Sequence, residues 1–219
     1  MTVPRVVLAT FNPGKVREIL PFFDGLELTV ATLADCGIEA PFEETGATYE
    51  ENARAKAQHY ARLAGSPAVA DDSGIEIDAL GGRPGPLSAR YGGEGLDDAS
   101  RCRLMLKELS GVEESGRTGR YIAVAAIARP DGASRLFRGV CEGRILTAAR
   151  GEGGFGYDPL FYYPPFETTF AQVTQEKKER VSHRGRAFRQ LAEFLRMEAG
   201  RVFMAGRGDV SAGGSPTSR

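Results

Sequence analysis

The sequence predicts an α/β protein built as one large domain, and three observations support this. Short apolar, β-branched runs alternate along the chain with segments of helical periodicity, which is typical of α/β proteins. The composition, with 42% hydrophobic and 26% charged residues, is that of a soluble globular protein. A length of 219 residues fits one large domain or one domain with two lobes. We place the domain at residues 1–200 and predict a disordered, Gly- and Ser-rich tail at residues 201–219.

Charge and cysteine usage narrow the class of protein. A formal net charge of −1 argues against a general binder of polyanions. The three cysteines are scattered without metal-ligand spacing, which favours reduced thiols in a cytosolic protein over a disulfide framework. The chain contains no signal-peptide pattern at its start and no apolar run of about 18 residues. The sequence therefore predicts a cytoplasmic protein that does not enter a membrane.

The chain begins with an apolar run at Val3–Ala9, which we interpret as a buried strand. A polar loop follows, and apolar residues then recur at helical spacing over residues 16–23. A strand, a Gly-containing loop and a helix can present backbone N–H groups and a positive helix end to phosphate. The loop residues are Thr10, Phe11, Asn12, Pro13, Gly14 and Lys15. An ordinary connection with turn residues is the alternative, because no Walker A motif is present.

A second strand is predicted at Leu26–Thr32 and a long helix thereafter. Thr48 and Glu51 form a capping box at the start of this helix, and Gly65 is a natural stop. Three of its side chains share one stripe: Asn52, Lys56 and Tyr60. Such a stripe either lines a cleft or forms a solvated face.

Two adjacent aspartates, Asp71 and Asp72, follow a short apolar run at residues 68–70. We interpret the run as the end of a buried strand, with a second short strand at residues 75–77. Because successive side chains of an extended chain point to opposite faces, one aspartate could face a cleft while the other holds the turn. A surface turn is the alternative. The long Gly- and Pro-rich loop at residues 81–93 favours a functional site.

The middle of the chain predicts a helix and a hairpin. The helix spans Leu96–Leu109, with acidic residues near its positive end. Two strand-like runs, Tyr121–Ala128 and Ser134–Leu146, are separated by a strong turn signal at residues 129–132.

Two stretches in the C-terminal third suggest contact with a ligand. Residues 150–158 contain four glycines, which allow close backbone approach, and aromatic residues that offer flat faces to a ring. A glycine-rich hairpin with buried aromatics is the alternative. Ser182 is a plausible N-cap for a helix that ends near Gly200, which places His183 and Arg184 in its first turn. Positive side chains at a positive helix end suggest an anionic or acceptor-rich partner, although a solvated basic face is also common.

Five motifs stand in fixed order: TFNPGK at 10–15, FEETGATYEENAxxKA at 42–57, ADDSG at 70–74, GGFGYDPLF at 153–161 and KKERVSHRGRA at 177–187. Together they resemble the inosine triphosphate pyrophosphatase family, whose members are also called dITP/XTP pyrophosphatases. The resemblance implies an elongated mixed β-sheet with flanking helices and two lobes enclosing a substrate cleft. It further implies a homodimer and Mg²⁺-dependent hydrolysis of ITP, dITP and XTP to a monophosphate and pyrophosphate, which cleanses the nucleotide pool.

The resemblance assigns roles residue by residue. Asp72 matches the catalytic proton acceptor and a metal ligand, and Glu43 matches the second metal-ligand position, with Glu44 its near alternative. The matched substrate contacts are Thr10, Phe11, Asn12, Pro13, Gly14, Lys15, Ser73, Phe155, Gly156, Tyr157, Asp158, Lys178, His183 and Arg184. The supporting positions are Asn52, Lys56, Asp71 and Arg90. Phe11 departs from the family pattern, in which glycine is common there, and a bulky residue could narrow the approach to phosphate.

These residue types suit the implied chemistry. Oxygen ligands such as Glu43 and Asp72 suit Mg²⁺, and Lys15 can neutralise charge on the phosphates. Donors such as His183 or Arg184 can bind the 6-carbonyl of a deaminated purine, whereas the amino group of adenine would leave them unpaired.

Three other functions compete with this interpretation. A Maf-type nucleotide pyrophosphatase is disfavoured by the SHRG and GGFGYDP motifs. A non-catalytic nucleotide sensor is disfavoured by the intact set of Asp72, Glu43 and Lys15. A nucleic-acid-binding module would rest on the basic run at residues 177–189 alone, so we expect no nucleic-acid partner.

Overall fold

The structure is a computed structural model that describes residues 3–206. Within this range helices flank a mixed sheet of eight strands, which confirms the predicted α/β fold. The strands are β1 (Arg5–Leu8), β2 (Thr29–Thr32), β3 (Ala68–Ile77), β4 (Pro84–Gly85), β5 (Thr118–Ala128), β6 (Ser134–Ile145), β7 (Phe161–Tyr163) and β8 (Thr168–Thr169). The helices are α1 (Pro13–Ile19), α2 (Tyr49–Ala64), α3 (Asp98–Glu108), α4 (Gln175–Glu179), α5 (His183–Arg196) and α6 (Glu198–Met204). The division into two lobes stays a prediction.

The strand order in the sheet is β2-β1-β3-β5-β6-β7-β8, with β4 paired to β3. Strands β1, β2 and β3 run parallel, and β5 to β8 pair with their neighbours in antiparallel fashion. Strand β3 therefore joins the two parts of the sheet, because it pairs with β1 in parallel and with β5 in antiparallel fashion. This junction is where the motifs of the sequence come together.

The predicted break after residue 70 is wrong, because β3 runs without interruption from Ala68 to Ile77. Asp71 pairs with Ala125 of β5 and Asp72 with Val124, so the two acids lie within the strand. Both carboxylates have hydrogen-bond or salt-bridge partners in the folded protein, so they are accommodated within a buried strand. The prediction that their side chains point to opposite faces holds, as their contacts show below.

Alternation along the central strands builds two apolar layers. Ala68 and Ala70 face the same side as the alanines of α2, which contribute Ala53 and Ala57 to that core cluster. Val69 belongs to the opposite cluster, where α5 packs through Phe188 and Leu191, among others. A third cluster covers the far ends of β3 and β5 with side chains of α3. Helices α2 and α5 thus cover opposite faces of the strand that carries the two aspartates.

The local signals at the helix starts are confirmed. Thr48 accepts a hydrogen bond from the backbone N–H of Glu51, and both halves of the capping box are present in α2. Ser182 caps α5 by accepting from the N–H of Gly185 at 3.0 Å. The first helix is shorter than predicted, because α1 ends at Ile19 and continues as a 3₁₀ turn over Leu20–Phe23.

The domain boundary at residue 200 needs correction. Helix α6 extends to Met204, and its Phe203 is buried in the cluster that also contains Leu195. Gly200 is a close-packing position and not a stop, because a Cβ there would lie 2.1 Å from the carbonyl oxygen of Phe194. The rest of the predicted tail, residues 207–219, lies outside the described residues.

Across the described part of the chain, no helix has both the length and the apolar character needed to cross a membrane.

Candidate active site

A cleft of about 390 Å³ opens where α1, β3, the loop at residues 153–158 and α5 meet. Most residues predicted to bind substrate form its wall. These are Asn12, Pro13, Gly14, Lys15, Asp72, Ser73, Phe155, Gly156, Tyr157, Asp158, Lys178, His183 and Arg184. The four predicted supporting residues do not line the cleft but contact residues that do: Asn52, Lys56, Asp71 and Arg90. Three residues predicted to bind substrate or metal do not line it: Thr10, Phe11 and Glu43.

Asp72 faces α2. Its Oδ2 accepts a hydrogen bond from the Asn52 side chain at 3.0 Å, and its Oδ1 accepts from the backbone N–H of Ser73 at 2.8 Å. The Asn52 side-chain oxygen in turn accepts from the N–H of Gly46 at 2.7 Å. Asn52 therefore orients the carboxylate, which fits its predicted supporting position.

The Asp72 carboxylate is poised to titrate near neutral pH. Burial, followed by the charge of Glu44, raises its pKa to about 6, although the hydrogen bond from Asn52 opposes the shift. No cation within the described residues forms a salt bridge with it. Asp72 therefore presents to the cleft a carboxylate that no cation of the described residues neutralises in a salt bridge.

Asp71 faces α5 and forms a different kind of contact. Its Oδ2 lies 3.1 Å from Lys15 Nζ and 3.2 Å from Arg184 Nε. Burial alone would raise its pKa, but the charges of Lys15 and Arg184 outweigh burial and hold the pKa well below its usual range. Asp71 is thus a permanent anion that ties the loop before α1 to the start of α5.

The loop before α1 is braced by its own side chains. Asn12 caps the helix, because its Oδ1 accepts from the N–H groups of Gly14 and Lys15 at 2.8 and 3.1 Å. Those two N–H groups are therefore already satisfied. Phe11 lies edge-on to Tyr60 with 6.4 Å between ring centroids, so its ring does not narrow the cleft.

Another part of the cleft wall is built around the Phe155 ring. Lys178 Nζ lies 5.0 Å from its centroid and the Arg184 guanidinium 5.5 Å. A Cβ on Gly14 would lie 3.0 Å from the same ring, so glycine allows the first loop to approach it. Lys178 is held by Asp158, which also accepts from the N–H of Phe155 at 3.0 Å.

His183 lines the cleft as a neutral imidazole. Burial, followed by the charge of Arg184, lowers its pKa well below its usual range. The ring stacks on Tyr121 with centroids 4.5 Å apart and 10° between planes. Its buried Nδ1 has no hydrogen-bond partner within residues 3–206. A neutral ring in this position offers a polar group to a ligand without adding charge.

The structure distinguishes the two adjacent acids of the EETG motif. Glu44 lines the cleft, whereas Glu43 is exposed and outside it. Glu44 forms a short salt bridge with Lys56, and its backbone oxygen accepts from Arg90 at 3.1 Å. The geometry therefore favours Glu44, the near alternative, over Glu43 as an acid of the site. Lys56 and Arg90 therefore both contact Glu44, and their supporting role stays a prediction.

Sequence reasoning missed Glu18, a buried carboxylate between two site cations. It contacts Lys178 at 2.7 Å through Oε1 and forms a short salt bridge with Arg184 through Oε2. Its signal was weak: it lies three residues after Lys15 in α1, on the same side of the helix. Its partners are more than 150 residues away in the chain, so no local pattern reveals them.

Other cleft residues were also missed. Tyr121, Ser88, Asp98 and Arg101 line the wall. Asp98 accepts from the N–H of Gly156 at 2.6 Å, and the Tyr157 hydroxyl donates to the Ser88 carbonyl at 2.8 Å. These bonds fix the glycine-rich loop on α3 and on the loop at residues 81–93.

Solved structures of known proteins share this fold. The fold of this chain matches a HAM1 protein from Coxiella burnetii, with a TM-score of 0.81 and 38% identity, covering 88% of this chain and 98% of that one. A structure titled nucleoside-triphosphatase / dITP/XTP pyrophosphatase from Mycobacterium abscessus matches with a TM-score of 0.70 and 36% identity. It covers 88% of this chain and 100% of that one.

The chain belongs to the Ham1 family, whose model matches residues 6–194. A dITP/XTP pyrophosphatase from Thermus thermophilus is 51% identical over 191 residues, covering 86% of this chain and 90% of the relative. One from Bacillus subtilis is 42% identical over 189 residues, covering 86% and 96%. The family resemblance drawn from the motifs is therefore confirmed.

Proposed function

We propose that the protein is a nucleoside triphosphate pyrophosphatase that hydrolyses ITP, dITP and XTP to the monophosphate and pyrophosphate. The observation that carries the proposal is the convergence of Asp72, Lys15 and Arg184 on one cleft beside the Phe155 ring. This arrangement places a carboxylate, a lysine and a flat aromatic surface around the same cleft. The relatives from Thermus thermophilus and Bacillus subtilis, both called dITP/XTP pyrophosphatases, support the choice of substrate.

The donor set of the cleft fits a magnesium ion. Asp72 and Glu44 lie close enough for the charge of Glu44 to raise the pKa of Asp72, so this region carries negative charge that a divalent cation relieves. Mg²⁺ is usually held by one or two carboxylates together with waters and substrate phosphates. Within residues 3–206 no group of three or more His, Cys, Asp or Glu side chains could hold a metal ion, so the other ligands would have to be waters and substrate phosphates. Asp72 and Glu44 would hold the ion, which would neutralise phosphate charge and lower the pKa of a bound water.

The ion-pair balance of the cleft explains why a metal would be needed. Lys15, Lys178 and Arg184 are each paired with a buried carboxylate. They can orient the substrate, but their charges are already balanced. A triphosphate therefore brings negative charge that the protein alone does not neutralise.

Asp72 is the proposed general base. In the reaction, a water oxygen attacks the α-phosphorus, the bond to the bridging oxygen breaks, and pyrophosphate leaves. The Asp72 carboxylate accepts the proton of that water. Asp72 is ionised at neutral pH and is oriented by the hydrogen bond from Asn52, so position supports its role as a base. Lys15, held by Asp71, points its ammonium group at the phosphates.

Selection of the base is proposed to occur beside the Phe155 ring. The purine stacks on the Phe155 ring, and neutral His183 together with Arg184 donates hydrogen bonds to the 6-carbonyl. An adenine amino group at that position leaves both donors unpaired, which disfavours ATP strongly. Because the His183 ring carries no charge, it can donate a hydrogen bond to the purine 6-carbonyl without attracting the phosphates.

The test is a pyrophosphate-release assay with ITP, XTP, GTP and ATP, with Mg²⁺ and with EDTA. We expect pyrophosphate and monophosphate from ITP and XTP in Mg²⁺, little from ATP, and none in EDTA. Release of orthophosphate would contradict cleavage between the α and β phosphates. Tight ITP binding without turnover would identify a nucleotide sensor instead.

We also propose that the enzyme is a homodimer in the cytoplasm that acts on free nucleotides. Light scattering coupled to size-exclusion chromatography tests the first point. The preference for free nucleotides is tested by comparing binding to DNA and to ITP at matched salt, and we expect binding to DNA to be weaker.

A further inference from the structure

Tyr121 lies in the wall of the cleft and contacts two of the residues predicted to bind substrate. Its ring stacks on the His183 ring, with 4.5 Å between centroids and 10° between planes. Its hydroxyl group donates a hydrogen bond to Asp158 Oδ1 at 3.3 Å. Asp158 in turn braces the loop at residues 153–158, because its Oδ2 accepts from the N–H of Phe155. One side chain of β5 therefore connects His183 with the loop that carries Phe155.

The contact between Tyr121 and His183 follows from the way α5 packs on the sheet. Along β5 the side chain of Tyr121 alternates in step with Ala123 and Ala125, which belong to the core cluster that α5 covers. Helix α5 begins at His183, and a Cβ on Gly139 of β6 would lie 2.0 Å from the carbonyl oxygen of His183. Glycine therefore lets the start of α5 pack directly on the sheet, which fixes the His183 backbone. The rotation of the imidazole is then set by its stack on Tyr121.

The two nitrogens of the His183 ring have different surroundings. Nδ1 is buried without a hydrogen-bond partner within residues 3–206, so Nε2 is the nitrogen available to a ligand in the cleft. A proton on Nδ1 would leave a buried donor unpaired and would turn a lone pair towards the purine 6-carbonyl, which is itself an acceptor. A proton on Nε2 leaves only a lone pair unpaired and supplies the donor that the carbonyl needs. The neutral ring should therefore carry its proton on Nε2.

We propose that Tyr121 is a positioning residue that holds the His183 ring with its Nε2–H group directed at the purine 6-carbonyl and keeps that ring aligned with the loop at residues 153–158. This inference rests on the proposed function. The stack restrains rotation of the imidazole, and the hydroxyl group ties the stacked pair to Asp158. Burial, followed by the charge of Asp158, raises the pKa of Tyr121 well above its usual range. The hydroxyl group therefore stays protonated and acts as a permanent donor to Asp158.

Three variants separate the ring of Tyr121 from its hydroxyl group and from burial in general. Tyr121→Leu removes the stack, so the His183 proton should be shared between both nitrogens and the ratio of kcat/KM for ITP to that for ATP should fall by about tenfold. Tyr121→Phe keeps the stack but loses the bond to Asp158, so the proton should stay on Nε2 while the KM for ITP rises by about fivefold. Tyr91→Leu is the matched control, because Tyr91 is almost as buried in the same core cluster and does not line the cleft. It should change neither the position of the proton nor the selectivity.

The position of the proton is measured by ¹⁵N NMR of ligand-free protein at neutral pH, because the two tautomers of a neutral imidazole have distinct ¹⁵N shifts. The chain contains only two histidines, so the spectrum of His59→Gln assigns the signals of His183. Turnover of ITP and ATP is measured on the same four proteins, and binding of both nucleotides is measured by calorimetry. We expect a single Nε2–H tautomer in the wild type, Tyr121→Phe and Tyr91→Leu, and a mixture in Tyr121→Leu.

The proposal is overturned by a wild-type protein whose His183 proton lies on Nδ1. It is also overturned if Tyr121→Leu keeps a single tautomer or the wild-type selectivity. An equal loss of selectivity in Tyr91→Leu would show a merely structural role. If Tyr121→Leu does not fold, an unchanged KM for ITP in Tyr121→Phe overturns the proposal. A wild-type protein that binds ITP without cleaving it removes the proposed function, and the NMR spectra and calorimetric affinities still test the role of Tyr121.

Discussion

Asp71 and Asp72 are neighbours with the same side chain, yet replacing each by asparagine should shift stability in opposite directions. For metal-free protein at pH 7, we expect Asp72→Asn to raise the free energy of unfolding. Burial and the charge of Glu44 raise the pKa of Asp72 to about 6, so keeping this group ionised costs the folded state free energy. Asparagine removes that cost.

The magnitude follows from the pKa. A rise from an ordinary value near 4 to about 6 corresponds to about 3 kcal/mol at neutral pH. Asparagine can still accept from Asn52, but it loses the bond from the Ser73 N–H, which costs about 1 kcal/mol. The remaining gain of about 2 kcal/mol corresponds to an increase in Tm of about 5 °C for a domain of this size.

The sign of the pH dependence is fixed by the same shift. Between about pH 4 and pH 6 the folded protein keeps a proton on Asp72 that the unfolded chain has lost. The cost of ionising Asp72 is therefore absent below about pH 4, grows up to about pH 6 and is constant above it. The difference in Tm between Asp72→Asn and the wild type should follow this course.

Asp71→Asn is the matched comparison. The charges of Lys15 and Arg184 hold the pKa of Asp71 far below its usual range despite burial, so its ionised form stabilises the fold at every pH above about 4. Removing its charge leaves Lys15 without its carboxylate partner and buried Arg184 with Glu18 alone, and should cost about 3 kcal/mol at pH 7.

The assay is thermal unfolding followed by circular dichroism in EDTA from pH 4 to pH 8, with ITP turnover in Mg²⁺ measured on the same samples. Asp72→Asn should be more stable and inactive. A lower Tm for Asp72→Asn at pH 7, or a difference in Tm that does not change with pH, would refute the reasoning. Either result would mean that the carboxylate of Asp72 serves the fold and is not held at a cost for catalysis.

Two further predictions concern the metal and the base. Glu44→Gln should raise the Mg²⁺ concentration needed for half-maximal turnover by at least about tenfold, while Glu43→Gln, the exposed neighbour, should not; the reverse pattern would restore Glu43 as the ligand. His183→Ala should reduce the preference for ITP over ATP by about tenfold with little change in the inhibition constant of pyrophosphate, measured in competition assays. Equal losses for both nucleotides would show that His183 does not read the base.

Local signals in the sequence were enough for the elements near the site. The capping box of Thr48 and Glu51, the Ser182 cap and the hairpin turn at residues 129–132 each satisfy backbone groups within a few residues. Because the partners of such short-range bonds are close together in the sequence, the starts of α2 and α5 were predicted correctly. The interruption placed after residue 70 was wrong, because two adjacent aspartates resemble a turn until their buried partners are known.

What the sequence determined by itself was the set of motifs, the family they indicate and the alternation that separates Asp71 from Asp72. The tertiary structure decided which of those residues meet. It brought Glu44 rather than Glu43 to the cleft and joined Glu18 to Lys178 and Arg184 across more than 150 residues. The physical reason is that the pKa of a carboxylate depends on charges and burial within a few ångströms in space. Those neighbours are assembled only when α1, β3, α4 and α5 pack together.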